Sequence, residues 1–237
     1  MILVPMLPVF SRLAAPENWG ELKERIRQGL LLSALTMLPL TAILTTLAFP
    51  VVRFIYVRYA FDQAALEIVA PVLIAYGLGM FFYLGRDVLV RVFYAIGDGE
   101  TPFRISLVNI FINAILDYIL MNLFQTPGLI LSTIGVNITS MGVMLWVLNR
   151  RLNGLPLFAW GKILLVLMSG AALAGVASWK VSDFWEQWLG NDNLLLETGQ
   201  ILLPSLVAFV IFFMVANRLN LPEMKILAMR IKKKLKR

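Results

Sequence analysis

Apolar runs long enough to cross a bilayer recur six times along this chain, near 29–52, 66–97, 103–124, 128–149, 161–180 and 199–217. Each covers a hydrocarbon core of roughly 30 Å when helical. Charged or turn-forming residues flank them, such as Arg150-Arg151 and Thr126-Pro127-Gly128. Lipid offers no hydrogen-bond partners, so an open strand edge would leave backbone groups unpaired. The fold class expected is therefore all-α, a polytopic membrane helix bundle. Composition agrees: 59% of the 237 residues are hydrophobic and 15% are charged, whereas about a quarter of a soluble domain is charged.

His and Cys are both absent. That removes imidazole acid–base catalysis, thiol nucleophiles, disulfides and the usual zinc and iron–sulfur ligands. An enzyme acting on lipid phosphates would want clustered carboxylates holding a metal. The closest acidic pair in a basic connection, Asp98 and Glu100, sits in a turn. No enzyme is expected, and function should lie with the few polar groups inside the membrane. The net charge of +7 would suggest nucleic acid for a soluble chain, but eight of the 21 basic residues follow position 217. Anionic membrane lipid is the expected partner, and nucleic acid is not.

Orientation follows from the same residues. The connections 11–28, 98–104, 150–162 and the tail from 218 carry 16 Lys and Arg; 53–65, 123–127 and 180–198 carry 3. The first set is expected in the cytoplasm, and the C-terminus with it. Residues 1–10 (MILVPMLPVF) would rise only about 15 Å as a helix, half a bilayer. They read as the second half of a transmembrane helix, with Met1 internal to a longer chain. Segment 11–28 reads as a cytoplasmic surface piece, with a short helix from Asn18 onward. Transmembrane helices follow over 29–152 and 153–217, then a basic tail over 218–237. The tail sets Met224, Leu227, Ile231 and Leu235 on one helical face. Lys225, Arg230, Lys232, Lys233, Lys234, Lys236 and Arg237 supply its charge. It reads either as an amphipathic helix on anionic lipid or as a plain positive-inside stop signal. Phe184, Trp185 and Trp188 read as an interfacial belt in an outer loop.

Two polar groupings lie within the spans. Arg86, Asp87 and Arg91 fall in the long run 66–97. Arg91 can snorkel to the interface. Arg86 and Asp87 either pair with a neighbouring helix or line a polar pathway for a charged ligand. The second grouping is sharper. Asn113 and Asp117 are four apart on one helical face, and Asn109 extends it. After the tight turn at Gln125-Thr126-Pro127-Gly128, Thr133 returns to the depth of Asp117, and Asn137 extends its face. With a freed carbonyl near Leu129, these oxygens would suit a hard cation such as Na⁺. The alternative is ordinary interhelical hydrogen bonding.

The order LPVFSRLAA, FPVVRFIYVRYAFD and AYGLGMFFYLGRDVLVRVFYAIGDGETPFRIS resembles the C-terminal half of the MurJ/MviN lipid II flippase family. The most specific piece is Phe93-Tyr94-Ala95 with Asp98, Thr101 and Pro102, just after Arg91. The resemblance runs over nearly the whole chain and is weakest from about residue 156. It implies the multidrug/oligosaccharidyl-lipid/polysaccharide flippase fold, of which this chain would hold six full transmembrane helices and a partial one. It also implies transport of lipid II, or a similar polyprenyl-diphosphate glycan, to the periplasmic leaflet of the bacterial inner membrane by alternating access. Spans 161–180 and 199–217 would form a groove for the polyprenyl tail. Family sodium ligands match Asn113, Asp117, the Leu129 carbonyl and Thr133, so Na⁺ is implied as a coupling ion, and no other cofactor. A further carboxylate of that site and the family's cavity arginines would lie upstream of residue 1, in a missing N-terminal half. Arg86 and Arg91 are not those arginines, and this segment alone is expected to be inactive. The other readings are a flippase for an O-antigen-type glycan and a non-catalytic membrane assembly subunit.

Overall fold

The computed structural model describes residues 6–56, 63–190, 193–224 and 227. Among them the chain is helical: α1 (Met6–Arg12), a 3-10 turn (Pro16–Asn18), α2 (Trp19–Thr46), α3 (Ala48–Tyr56), α4 (Gln63–Ala95), α5 (Glu100–Phe124), α6 (Thr126–Arg151), α7 (Leu157–Leu189) and α8 (Leu194–Arg218). Six of these, α2 and α4 to α8, are long and apolar enough to cross a membrane. The expected number of full spans is therefore present.

Three helix boundaries differ from expectation, each for a local reason. The basic surface piece is no separate helix from Asn18: α2 runs unbroken from Trp19 into the first span. Leu22 and Ile26 are fully buried there, while Glu21–Arg25 and Glu24–Arg27 pairs cover the outer face. An amphipathic first part thus runs into an apolar second part with nothing between them to stop the hydrogen-bond ladder. That span ends at Thr46 rather than near 52. Pro50 has no N–H for the Thr46 carbonyl and its ring crowds that oxygen, so the chain breaks at Leu47 and restarts as α3.

The outer loop around Phe184, Trp185 and Trp188 is helical, because α7 continues to Leu189. At 33 residues, α7 rises about 50 Å and outlasts the hydrocarbon core. Its protruding end is held by side chains. Trp185 Nε1 donates to the Leu196 carbonyl at 3.1 Å, and Gln200 Nε2 donates to Glu186 Oε2 at 3.2 Å. Arg53 of α3 pairs with Glu186 at 3.3 Å. Phe184 and Trp188 stack at 5.5 Å on the exposed side.

The chain forms two compact units, each discontinuous in sequence. In the unit built from Met1–Ala34 and Phe81–Lys162, Gly85 lets α4 approach Met141 and Leu30. Val88, Leu89, Val92, Phe93, Met144 and Leu148 are fully buried. There α5 packs along α6 and leaves a wide apolar face with Phe103, Phe111 and Tyr118 exposed. In the unit built from Leu35–Met80 and Ile163–Arg237, Ala48, Val52, Leu66 and Ala70 form a small core. Gly77 lies against Leu44 and Thr45, and Gly170 against Val215. Thr41 Oγ1 donates to the Gly77 carbonyl at 2.7 Å, tying α2 to α4.

Candidate functional site

The seam between α5 and α6 gathers the polar groups. On α5, Asn109, Asn113 and Asp117 recur every four residues, so one face carries them all. A single residue, Gln125, joins α5 to α6, at φ 55 and ψ −137. This is a strained region for a side-chain-bearing residue, tolerated because the hairpin around it dictates the turn. Pro127 starts α6 without an N–H to satisfy, and Gly128 lies against the Leu120 carbonyl. The two helices therefore meet closely just where Leu129 begins the returning face.

Asp117 is the centre of the arrangement. Asn113 Nδ2 donates to Asp117 Oδ2 at 2.7 Å, and Ser132 Oγ donates to Asp117 Oδ1. Ser132 Oγ also lies 2.8 Å from the Leu129 carbonyl, to which Thr133 Oγ1 donates at 3.0 Å. Thr133 bonds only the carbonyl one turn back on its own helix, whereas Asn113, Asp117 and the Leu129 carbonyl are linked through Ser132, which spacing did not single out. A signal for it existed: Ser132 is eight residues before Ser140, the same face two turns on, and both are fully buried. Asn137 donates from Nδ2 to the Thr133 carbonyl at 2.8 Å and so braces the turn above.

Farther along the seam lies a second cluster. Arg86 of α4 donates through Nε to Ser140 Oγ at 3.1 Å and through Nη2 to Ser106 Oγ at 3.2 Å. Asn109 Nδ2 reaches the same Ser140 oxygen at 3.1 Å. Asn109 also forms part of the wall of a groove of about 220 Å³, with Ile105, Val108, Ile112, Thr139 and Val143. Among the described residues Arg86 has hydroxyl partners and no ion pair. Asp87 pairs instead along its own helix with Arg91, at 2.9 Å. That departs from an ion pair to a neighbouring helix, and it anchors Arg91 within α4. The reason is the four-residue spacing, which stacks the two side chains.

The motif after Arg91 is a pair of helix caps. Gly97, at φ 77, ends α4, and the Asp98 N–H returns to the Phe93 carbonyl at 2.9 Å. This left-handed glycine with a six-to-one hydrogen bond is a Schellman closure. Asp98 then opens α5. It accepts the Thr101 N–H at 3.0 Å and the Thr101 hydroxyl at 2.6 Å, and Arg151 at the end of α6 pairs with it at 2.6 Å. Pro102 follows in the first turn, where a missing N–H costs nothing. Tyr94 is exposed and Phe93 buried, with Ala95 the last helical residue of α4. The tail residues Lys225, Arg230, Lys232, Lys233, Lys234, Lys236 and Arg237 lie outside the described residues.

Burial would raise the pKa of Asp98, but hydrogen bonds from Thr101 and the charge of Arg151 outweigh it, so the net shift is downward from 3.8. A carboxylate with a lowered folded pKa adds stability above its unfolded pKa and loses it as pH falls through the folded value. Asp98→Asn should therefore cost about 1–2 kcal/mol. That cost should be constant through neutrality and shrink only as pH drops below about 4. Thermal unfolding of both forms between neutral pH and about pH 3 checks it; a gap that closes near pH 6 instead would contradict this cap.

The comparisons with known proteins agree with each other. The family model described as MurJ, lipid II flippase MurJ, matches residues 1–198. The probable lipid II flippase MurJ of Synechocystis sp. is 54% identical over 237 residues, all of this chain and 44% of that protein. The lipid II flippase MurJ of Burkholderia cenocepacia is 26% identical over 211 residues, 88% of this chain and 40% of that protein. A solved structure of a lipid II flippase MurJ in an inward closed conformation superposes with a TM-score of 0.65 at 23% identity, covering 89% of this chain and 42% of that one. The chain spans less than half the length of these relatives.

Proposed function

The chain belongs to the MurJ lipid II flippase family, and from that premise we propose that it is part of a transporter, not an enzyme, that moves lipid II across the bacterial cytoplasmic membrane. What carries the reading is the family match over residues 1–198, together with a polar cluster set into one hairpin of a multi-pass membrane protein. Transport would run from the cytoplasmic to the periplasmic leaflet by alternating access. The positive-inside pattern puts the α4–α5 turn, the α6–α7 connection and the C-terminus in the cytoplasm. Spans α7 and α8 would supply an apolar groove for the polyprenyl tail. The basic tail would rest on anionic lipid.

The α5–α6 cluster fits a hard monovalent cation, since Asp117, Asn113, the Leu129 carbonyl and Thr133 all offer oxygen. Bound there, Na⁺ would supply positive charge beside Asp117 and favour one arrangement of the hairpin. The chain's own residues do the rest. Asp117 holds the hairpin together by accepting from both helices. Thr133 and Asn137 fix the carbonyls of the first turns of α6. Arg86 ties α4 to the same hairpin through Ser106 and Ser140.

The test is a chimera in which this chain replaces the matching segment of the Synechocystis relative. In a bacterium depleted of its own lipid II flippase, the chimera should restore growth, while the 237-residue chain alone should not. A chimera present at normal membrane levels that leaves the cells lysing would overturn the proposal.

A further inference from the structure

Ser132 has a position that bears on how the Asp117 cluster would take a cation. It is fully buried. Its Oγ donates to Asp117 Oδ1 and lies 2.8 Å from the Leu129 carbonyl. A serine hydroxyl carries one hydrogen, so it serves one of these acceptors at a time. Both acceptors belong to the proposed cation ligands. On the other side, Asn113 Nδ2 donates to Asp117 Oδ2 at 2.7 Å. Both carboxylate oxygens are thus engaged by donors of the protein itself.

We propose that Ser132 is an internal competitor at the cation site: its hydroxyl hydrogen draws on the negative charge of Asp117 Oδ1 that a cation would otherwise use, and so holds cation affinity down. The inference rests on the cation-site reading given above. Hydrogen bonds to a carboxylate are among the strongest a neutral donor makes, and a low-dielectric setting strengthens them. Turning the hydrogen away from Asp117 points it at Leu129, the next ligand, so either orientation occupies one acceptor of the cluster. Asn113 differs, because its amide carries an oxygen that can be turned toward a cation. Thr133 differs too, since its Oγ1 donates at 3.0 Å to the Leu129 carbonyl, one turn back on its own helix. Competition for Asp117 itself therefore comes from the two donors that face it, and of these Ser132 is the one that reaches across from α6.

The experiment is a sodium titration of the purified chimera described above, with choline chloride holding ionic strength constant. Thermal unfolding is read from tryptophan fluorescence, and the quantity compared is the sodium concentration at half-maximal stabilisation. Ser132→Ala should lower that midpoint by about tenfold or more, the size expected from deleting one hydrogen bond to a charged group. An unchanged midpoint overturns the inference and leaves the cation site standing. A raised midpoint overturns it by making Ser132 a ligand. No response in either form removes the cation site and this inference together, whereas a response only in Ser132→Ala supports both. If that variant does not fold, Ser132→Cys, a weaker donor of similar size, should shift the midpoint in the same direction by less.

Discussion

Asp117→Asn in the chimera with the Synechocystis relative should abolish its sodium-dependent stabilisation and change its melting temperature in choline chloride only modestly. The two parts of that expectation have separate causes. Asparagine keeps the shape of aspartate, so packing between α5 and α6 is preserved. The charge that would attract a cation is gone, and the remaining ligands are neutral oxygens. Asn113 Nδ2 and Ser132 Oγ both donate to Asp117. In the variant one of these two donors faces the new amide's own donor group. Losing a hydrogen bond to a carboxylate costs about 1.5–3 kcal/mol. Against this, a carboxylate inside a membrane segment carries a desolvation cost of about 2.5–3.5 kcal/mol that the amide largely avoids. The two effects offset, so the baseline moves little while the cation response vanishes. Melting curves in matched sodium and choline chloride check it. A sodium shift of the same size in both forms would place the ion elsewhere.

Gly128→Ala is expected to be the most destabilising single-methyl change in the hairpin, by on the order of 3 kcal/mol. A Cβ at this position would run into the Leu120 carbonyl and come within 2.8 Å of the Met121 nitrogen. Those are backbone atoms of a continuous helix, so no side chain can swing aside. Relief would have to come from separating α5 and α6 at their joint, where Gln125 alone connects them. Leu129 is the next residue, so the displacement should also weaken the cluster on Asp117. Gly142 on the same helix supplies the control. A Cβ there meets nothing within 4 Å, and Gly142→Ala should be neutral or stabilising by up to about 1 kcal/mol, as usual for a helical glycine. Equal melting temperatures for the two variants would mean that close approach at Gly128 does not hold the hairpin.

The polar cluster was partly legible beforehand. Four-residue spacing placed Asn113 and Asp117 on one face. Counting eight residues from Gln125 in each direction paired Asp117 with Thr133, whereas the residue that bonds Asp117 is the neighbour of Thr133, Ser132. Ser132 escaped that reading because small hydroxyl residues in a membrane helix usually bond their own backbone. Only the rotation of α6 about its axis decides that this one turns to Asp117. Asp87 and Arg86 show the same limit. Adjacent in sequence, they diverge by about 100° around the helix, and which neighbours they meet depends on where α5 and α6 lie. Gly97 was also passed over, although a glycine directly after an apolar helical run is the ordinary sign of a left-handed cap.

What the sequence by itself determined is the class of the protein: apolar length demands six spanning helices, lipid excludes open strands, and the skew of Lys and Arg sets an expected orientation. These follow from local free energies of transfer, summed residue by residue. What tertiary structure decided is where the helices begin and end, and which side chains meet. Hydropathy marks the part of a helix that lies in lipid, whereas the hydrogen-bond ladder continues until something breaks it, as α2 and α7 do past their apolar stretches. The Asp117 cluster needs two helices rotated so that three side chains and one carbonyl meet. That rotation is fixed by the close contact at Gly128 and the packing along the seam, which no single helix carries in its own sequence.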